Sequence, residues 1–303
     1  MKKKISSLQA DLILLLVALL WGTTFVASKI ALDYLSPLTI ISIRFILAFV
    51  LMMLLFRNQI KSIQKEDLKG GIVVGLMLFI AFATQLIALN YTDPGKQAFL
   101  AGTYVVFVPF IVWFIYKKKP DSKSFIGAFA CFIGISLLTL NKGFSISFGD
   151  SLTLLSSMFF AGHIISTSHF VKKSTPVKIT IVQFGTVAIL STLTALIFEG
   201  VTTGVSSVVV VSVIYLGIIC TGVAYFLQTL AQNYTKSTHA AIILSLEAVF
   251  GSILSVIIMS ELFTVKMIVG CIIIFLSILV IELKGAKKES IERKEELLEK
   301  IVK

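Results

Sequence analysis

The sequence predicts an all-α polytopic membrane protein with ten transmembrane helices arranged as two inverted five-helix repeats. Composition is the first reason: 57% of the 303 residues are hydrophobic and only 14% are charged, with a mean hydropathy of +0.98, whereas soluble chains carry about 25% charged residues. Secondly, apolar runs long enough to cross a hydrocarbon core of about 30 Å recur along the whole chain. Thirdly, the two halves align with each other. The alternating pattern of a membrane β-barrel is absent.

Ten apolar runs define the predicted spans. They are residues 11–32, 38–56, 71–90, 97–116, 123–141, 150–170, 178–198, 212–232, 239–259 and 265–283. Of the 27 Lys and Arg residues, 22 lie in the termini and loops of one side and three in the loops of the other. The positive-inside rule therefore places both termini in the cytoplasm, with residues 1–10 as a short N-terminal segment and 284–303 as a charged tail. The predicted location is the cytoplasmic membrane.

Charge and cysteine content exclude several classes of function. The net charge of +11 comes from lysines in short loops between spans, which argues against a nucleic-acid partner. Cys131, Cys220 and Cys271 lie inside apolar runs without paired spacing, so they are interpreted as packing residues and no metal or cofactor is predicted. HExxH, GxSxG and P-loop patterns are absent, so the chain is not expected to be an enzyme.

The internal repeat divides the chain into residues 11–141 and 150–283. A shift of 143 residues places Gln85 on Gln228 and the tripeptide at 90–92 on an identical one at 233–235. A shift of 139 places Asp11 on Asp150. Five spans is an odd number, so the second repeat is expected to be inverted relative to the first. Inverted repeats are the architecture of secondary transporters, whose substrate site lies near mid-membrane.

Glu247 is the principal candidate for the site. It lies about eight residues into its helix, about 12 Å from the cytoplasmic edge, where a carboxylate is costly unless it is paired, protonated or facing a wet cavity. It either binds an amine or other cationic group, or carries a proton, or it accepts hydrogen bonds from a neighbouring helix. Tyr104 corresponds to Glu247 under the shift of 143, so the two are expected at similar depths from opposite sides; Tyr104 either forms one wall of a cavity or packs with its hydroxyl bonded locally.

Other polar or aromatic residues interrupt the apolar runs near mid-membrane. The remaining substrate-binding candidates are Trp21, Thr24, Gln85, His163, Tyr225 and Gln228. For each of them, core packing or hydrogen bonding between helices is the alternative. Gly22 is expected to allow close helix approach. Arg44, a candidate with Glu247 for coupling or gating, is expected to bind an anionic substrate group or, preferably, a carbonyl at a helix end.

The fifth and tenth spans have a different character. Only Cys, Ser, Thr and Gly interrupt their apolar residues between 125 and 140 and between 267 and 281. We therefore expect both at the periphery, facing lipid or the second copy of a homodimer.

Three stretches resemble a known family. They read "LLWGTTFVASKIALDYLSPLTIISIRF", "NYTDPGKQAFLAGTYVVFVPF" and "NYTKSTHAAIILSLEAVFGSILSVIIMSELFTVKMIVGCIIIFLSILV". Their order and spacing are similar to the EamA-type branch of the drug/metabolite transporter superfamily. Family members often carry Glu-Pro where this chain has Glu247-Ala248, which leaves a kink at this point open, and an acidic residue matched by Glu261. The resemblance implies a central cavity lined by most spans except the fifth and tenth, and export of small metabolites.

The sequence as a whole favours a secondary transporter that exports amino acids or related amines by alternating access, with a small-molecule substrate and the lipid bilayer as partners. A multidrug or quaternary-ammonium exporter is the alternative within this class. A membrane sensor or scaffold would need an effector domain or an extended loop, which the sequence lacks.

Overall fold

The computed structural model describes residues 5–117, 119, 122–139, 146–200, 206–235 and 237–277. The described chain is helical throughout. Its helices are α1 (Ser7–Leu32), α2 (Pro37–Leu55), α3 (Lys65–Ala88), α4 (Pro94–Gly102 continued by Tyr104–Tyr116), α5 (Ser122–Thr139), α6 (Phe148–Phe170), α7 (Pro176–Phe198), α8 (Ser207–Gln232), α9 (Ser237–Ser245 continued by Glu247–Met259) and α10 (Val265–Ser277). The single-turn helix Arg57–Ile60 connects α2 to α3.

Among the described residues, eight helices are long and apolar enough to cross a membrane. The apolar parts of α5 and α10 are shorter, Ile126–Leu137 and Val265–Ser277, and both helices adjoin residues outside the described part. The ends of the predicted fifth and tenth spans and the predicted tail 284–303 therefore lie outside the described residues. The molecule is a polytopic helical membrane protein.

Helix starts follow local chemistry. Ser6 and Gln9 form a reciprocal capping box, in which each side chain accepts a hydrogen bond from the other residue's backbone N–H at 3.2 and 2.9 Å. Three of the five prolines, Pro37, Pro94 and Pro176, stand in the first turn of a helix, where the missing N–H has no intrahelical partner to lose. α3 begins before its predicted span because its first turn is polar, whereas α8 begins early because the apolar run already starts at Val208.

The helices pack in a reciprocal pattern between the two halves. α3 packs on α6 and α7, while α8 packs on α1 and α2; α2 also packs on α7, and α4 on α9. α1 and α9 meet most closely at Gly22, where a Cβ atom would lie 2.5 Å from the Cβ of Phe250. The predicted role of Gly22 in close helix approach is confirmed.

The contacts also fix helix directions. α4 and α9 are antiparallel, because Ala98 contacts Gly251 whereas Gly102, further along α4, contacts Ala248, earlier in α9. α1 and α9 are parallel, as shown by Gly22 against Phe250 and Asp11 against His239. These directions place the N-termini of α1 and α9 at one end of the bundle and the N-terminus of α4 at the other.

Candidate functional site

A small cavity of about 20 Å³ lies at the centre of the helix bundle. Its wall is formed by Trp21, Thr24, Phe25, Arg44, Phe82, Gln85, Tyr104, Phe160, His163, Ile164, Tyr225, Gln228 and Glu247. The wall comes from α1, α2, α3, α4, α6, α8 and α9, and the described parts of α5, α7 and α10 contribute no lining residue. All nine residues that the sequence singled out are thus brought to one cavity; what they bind there is a matter for proposal.

Two helix breaks present facing residues to the cavity. α4 is interrupted at Thr103 and α9 at Leu246, with backbone angles φ −66°, ψ −7° and φ −62°, ψ −15°. Leu246 N–H donates to the Ile243 carbonyl three residues back, the tighter pattern of a 3₁₀ turn. The next residues are Tyr104 and Glu247. The regular α-helical pattern of α9 is thus interrupted at this point without proline at 248.

Glu247 is buried, with 7% of its surface exposed. The Tyr104 hydroxyl is directed towards its carboxylate but has no hydrogen-bond partner of normal geometry among the described residues. No cation in the described part of the chain approaches the Glu247 carboxylate within ion-pair distance. A buried carboxylate in such surroundings can accept a proton or an ammonium group.

Arg44 brings a positive charge to the same cavity. Its Nε donates to the Thr221 hydroxyl at 3.1 Å, one Nη donates to the Ser28 hydroxyl at 3.5 Å, and the guanidinium lies 4.7 Å from the Phe82 ring centroid. Its described side-chain partners are thus hydroxyls and not the helix-end carbonyl that the sequence favoured. Its second terminal nitrogen has no partner among the described residues.

A π-helical segment positions two of these contacts. α8 widens to π-helix over Leu216–Val223, and the Thr221 hydroxyl donates to the Leu216 carbonyl five residues back at 2.7 Å. The widening leaves the Cys220 carbonyl free to accept from the Trp21 indole N–H at 3.1 Å. π-Helical turns inside α-helices occur frequently at functional sites. Nothing in the sequence pattern predicted this segment.

Tyr225 is the centre of the aromatic wall. Its ring centroid lies 4.5 Å from that of Trp21, 5.7 Å from that of His163 and 5.8 Å from that of Phe82. Such tilted and edge-to-face arrangements are the favourable ones for aromatic pairs. The wall offers flat apolar surface and ring faces to a ligand.

His163 is held from behind the cavity. Its Nε2 lies 3.1 Å from the Gln183 amide oxygen on α7 and 3.4 Å from the Thr167 hydroxyl. α7 thus supports the wall without lining it. These contacts fix the imidazole orientation, as expected for a residue that helps to shape the site.

The side-chain amide of Gln228 has no hydrogen-bond partner among the described residues. The residue is fully buried, and neither its amide nitrogen nor its amide oxygen finds a hydrogen-bond partner in the described part of the chain. Buried polar atoms usually have partners because leaving one unpaired costs about 1–3 kcal/mol. Together with Arg44 and Tyr104, Gln228 presents unused donors and acceptors to the cavity. A polar ligand would satisfy them.

The lining is closed in this structure. Arg44 is 1% exposed, Tyr104 2% and Trp21 7%. Helices must therefore separate at one end of the bundle before a molecule of metabolite size can reach the cavity.

Four lining residues were not anticipated: Phe25, Phe82, Phe160 and Ile164. They are apolar, and the sequence contains many similar residues that face outwards, such as Phe129 and Ile257. In lipid, apolar side chains suit both faces of a helix, so hydropathy carries no signal that separates them.

Comparison with known proteins accords with this architecture. The model of the EamA-like transporter family matches residues 8–140 and 147–283. A relative from Archaeoglobus fulgidus, named an uncharacterized transporter, is 34% identical over 280 residues, which is 92% of this chain and 88% of that protein. The uncharacterized transporter YoaV of Bacillus subtilis is 26% identical and covers 85% of this chain and 91% of its own length. A crystal structure aligns with a TM-score of 0.68 at 18% identity, covering 92% of this chain and 99% of that chain.

The family match and the relatives named as transporters support a membrane transporter, and the helix bundle around a polar cavity is consistent with that class. The chain belongs to the EamA-like transporter family. The resemblance found in its sequence is thereby confirmed, and the two matched ranges coincide closely with the two halves 11–141 and 150–283.

Proposed function

We propose that this protein is a secondary transporter of the cytoplasmic membrane that exports amino acids or related amines by alternating access. The observation that carries the proposal is the closed cavity in which Glu247 and Arg44, without an ion pair between them, border unpartnered polar groups and aromatic rings. A zwitterion supplies both an ammonium group for Glu247 and a carboxylate for Arg44. The rings of Trp21 and Tyr225 supply apolar and cation–π contact for the remainder.

The proposed architecture is ten transmembrane helices in two inverted repeats, with both termini in the cytoplasm. Several contacts support it. Thr103 and Leu246, where α4 and α9 break, are 143 residues apart, the offset that aligns these helices in the sequence. α4 and α9 also run antiparallel, as inversion requires. In such transporters the substrate site lies between the repeats near mid-membrane, where this cavity receives helices from both halves.

The charge balance of the cavity favours a zwitterion over a purely cationic drug. A quaternary ammonium ion would meet the aromatic rings and Glu247, but it would also bring a second positive charge near Arg44, which is buried and has no carboxylate partner within ion-pair distance among the described residues. Like charges at low dielectric repel strongly. The amino acid therefore fits better than choline or another onium compound.

A thermal-shift comparison tests this proposal. Purified protein in detergent is heated with phenylalanine, phenethylamine, leucine, isopentylamine and choline, since a ligand that binds the folded form raises Tm. We expect stabilisation by an amino acid and less by its decarboxylated amine. Stabilisation by the amines and choline, with none by the amino acids, would transfer the proposal to the cationic-drug class. The protein is then reconstituted in proteoliposomes, and an amino acid that stabilised it is tested for transport in a counterflow assay.

A further inference from the structure

Two ion pairs lie at opposite ends of the bundle. Lys96 Nζ of α4 is 2.7 Å from Asp150 Oδ2 of α6, and His239 Nε2 of α9 is 3.0 Å from Asp11 Oδ1 of α1. Because α4 and α9 are antiparallel and each of the four residues lies in the first turns of its helix, the pairs occupy the two opposite faces.

The two pairs correspond residue by residue. Lys96 shifted by 143 is His239, and Asp11 shifted by 139 is Asp150, the same two offsets that align the halves. One pair joins Lys96, at the start of α4, to Asp150, at the start of α6. The other joins His239, at the start of α9, to Asp11, at the start of α1. The match of the basic residues Lys96 and His239 adds to the correspondence that Gln85 with Gln228 and the tripeptides at 90–92 and 233–235 already give at this offset.

Each pair also lies at the same distance from the cavity. Tyr104 follows Lys96 by eight residues and Glu247 follows His239 by eight residues, about 12 Å of helix in both cases. The Lys96–Asp150 pair thus closes the approach to the cavity along α4 and α6, and the Asp11–His239 pair closes the approach along α1 and α9. Between them, α4 and α9 touch at Gly102 and Ala248, near the breaks in both helices.

Both pairs connect the first half of the chain to the second. Opening the bundle at one end by moving the halves apart must separate the pair at that end, and it leaves the other pair in place. We propose that Lys96–Asp150 and Asp11–His239 are the two gates of the transporter, which open in alternation at opposite membrane faces. This inference rests on the proposed function, and both gates are closed around the cavity in this structure.

The two gates differ in burial. The side chains of Lys96 and Asp150 are 15% and 0% exposed, and those of His239 and Asp11 are 32% and 30% exposed. Asp150 also accepts a hydrogen bond from the Thr92 hydroxyl at 3.2 Å, and the Lys96–Asp150 pair is the more buried of the two. Removing one partner of a buried pair is the more disruptive change, so the gate at Lys96 should respond more strongly to substitution.

Accessibility of a cysteine in the cavity tests the gates without any substrate. The native residues Cys131, Cys220 and Cys271 are replaced by serine, and Thr24→Cys supplies the reporter. A sulfonated, membrane-impermeant maleimide is applied to right-side-out and to inside-out vesicles. We expect little labelling of the parent from either side, a roughly tenfold rise from one side for Asp150→Asn, and a smaller rise from the opposite side for Asp11→Asn.

Controls separate gating from general loosening. The charge swap Lys96→Asp with Asp150→Lys should return labelling towards the parent level. Lys29→Gln removes a part-buried lysine that donates to the Leu89 carbonyl at 2.9 Å within one half, and it should leave labelling unchanged. Lys96→Gln serves as a second variant of the same gate, and thermal melting verifies folding.

The results have distinct meanings. Labelling from the same side in Asp150→Asn and Asp11→Asn, no rise in either, or no recovery in the charge swap would overturn the gate assignment. Because no substrate is present, these results are independent of the thermal-shift test. If the protein transports amino acids but the labelling does not follow the expected pattern, only the gate assignment is rejected.

Discussion

Tyr104 and Glu247 each follow directly after the single residue at which their helix breaks, and their side chains meet across the same cavity. At each break the backbone leaves the regular α-helical hydrogen-bond pattern, with the N–H groups of Thr103 and Leu246 donating to carbonyls three residues back. In lipid, such irregular backbone is tolerated where it is buried in protein or lines a cavity. The arrangement therefore gives both a phenol and a carboxylate defined positions at the centre of the bundle.

Glu247→Gln is expected to reduce amino-acid flux in proteoliposomes by at least about tenfold, because the ammonium group loses its charged partner, which contributes roughly 1.5–3 kcal/mol. The protein should remain folded, with Tm unchanged or raised, since a neutral amide costs less to bury than a carboxylate. Glu66→Gln, at an exposed acid, is the matched control. Undiminished flux in Glu247→Gln would exclude Glu247 from the transport mechanism.

Arg44→Gln is expected to abolish discrimination between an amino acid and its decarboxylated amine. The unpartnered terminal nitrogen of Arg44 is the proposed carboxylate donor, so the amino acid should lose most of its thermal stabilisation while the amine keeps its own. The measurement is the difference in Tm shift between phenylalanine and phenethylamine. An equal loss for both ligands would indicate that Arg44 only supports the cavity wall.

Gly22→Ala is expected to destabilise the protein by about 1–3 kcal/mol, because the new Cβ would lie 2.5 Å from the Cβ of Phe250 and α1 must move away from α9. Thermal melting in detergent measures the loss. Gly162→Ala is the control: its nearest neighbour is the sulfur of Met77 at 3.2 Å, at the flexible part of a side chain. A Tm for Gly22→Ala equal to that of Gly162→Ala would contradict the close approach.

Glu199→Ala is expected to lower the stability by about 1–3 kcal/mol. The Glu199 carboxylate, at the end of α7, accepts hydrogen bonds from the backbone N–H groups of Leu38 and Thr39 at 2.8 Å each and so caps α2 in the other half of the chain. Asp93→Ala is the comparison, since Asp93 is exposed and its side chain caps no helix. Equal melting temperatures for the two variants would show that the cap is dispensable.

The sequence predicted the helices because hydropathy and length are decisive in a bilayer. It also predicted which polar residues line the cavity, since a polar side chain in the middle of an apolar run must face protein rather than lipid. Glu247 and Gln228 could be found in this way. Phe82 could not, because an aromatic residue is equally suited to lipid and to the cavity.

Local backbone geometry was the part that the sequence did not reveal. The break at Leu246 occurs without proline, and the π-helical segment 216–223 contains no residue that signals it. Both depend on contacts with other helices, such as the bond from Trp21 to the Cys220 carbonyl. The Thr221 hydroxyl that accepts from Arg44 was also missed, and it lies within this π-helical segment.

The bonds from Trp21 to Cys220 and from Arg44 to Thr221 both cross from one half of the chain to the other. A fragment containing only residues 11–141 would keep the indole and the guanidinium but would lose the Cys220 carbonyl and the Thr221 hydroxyl that accept from them, leaving Ser28 as the acceptor for Arg44 among the described residues. Neither half is therefore a smaller working carrier, although the two halves produced as separate polypeptides in one cell have matching surfaces on which to reassemble.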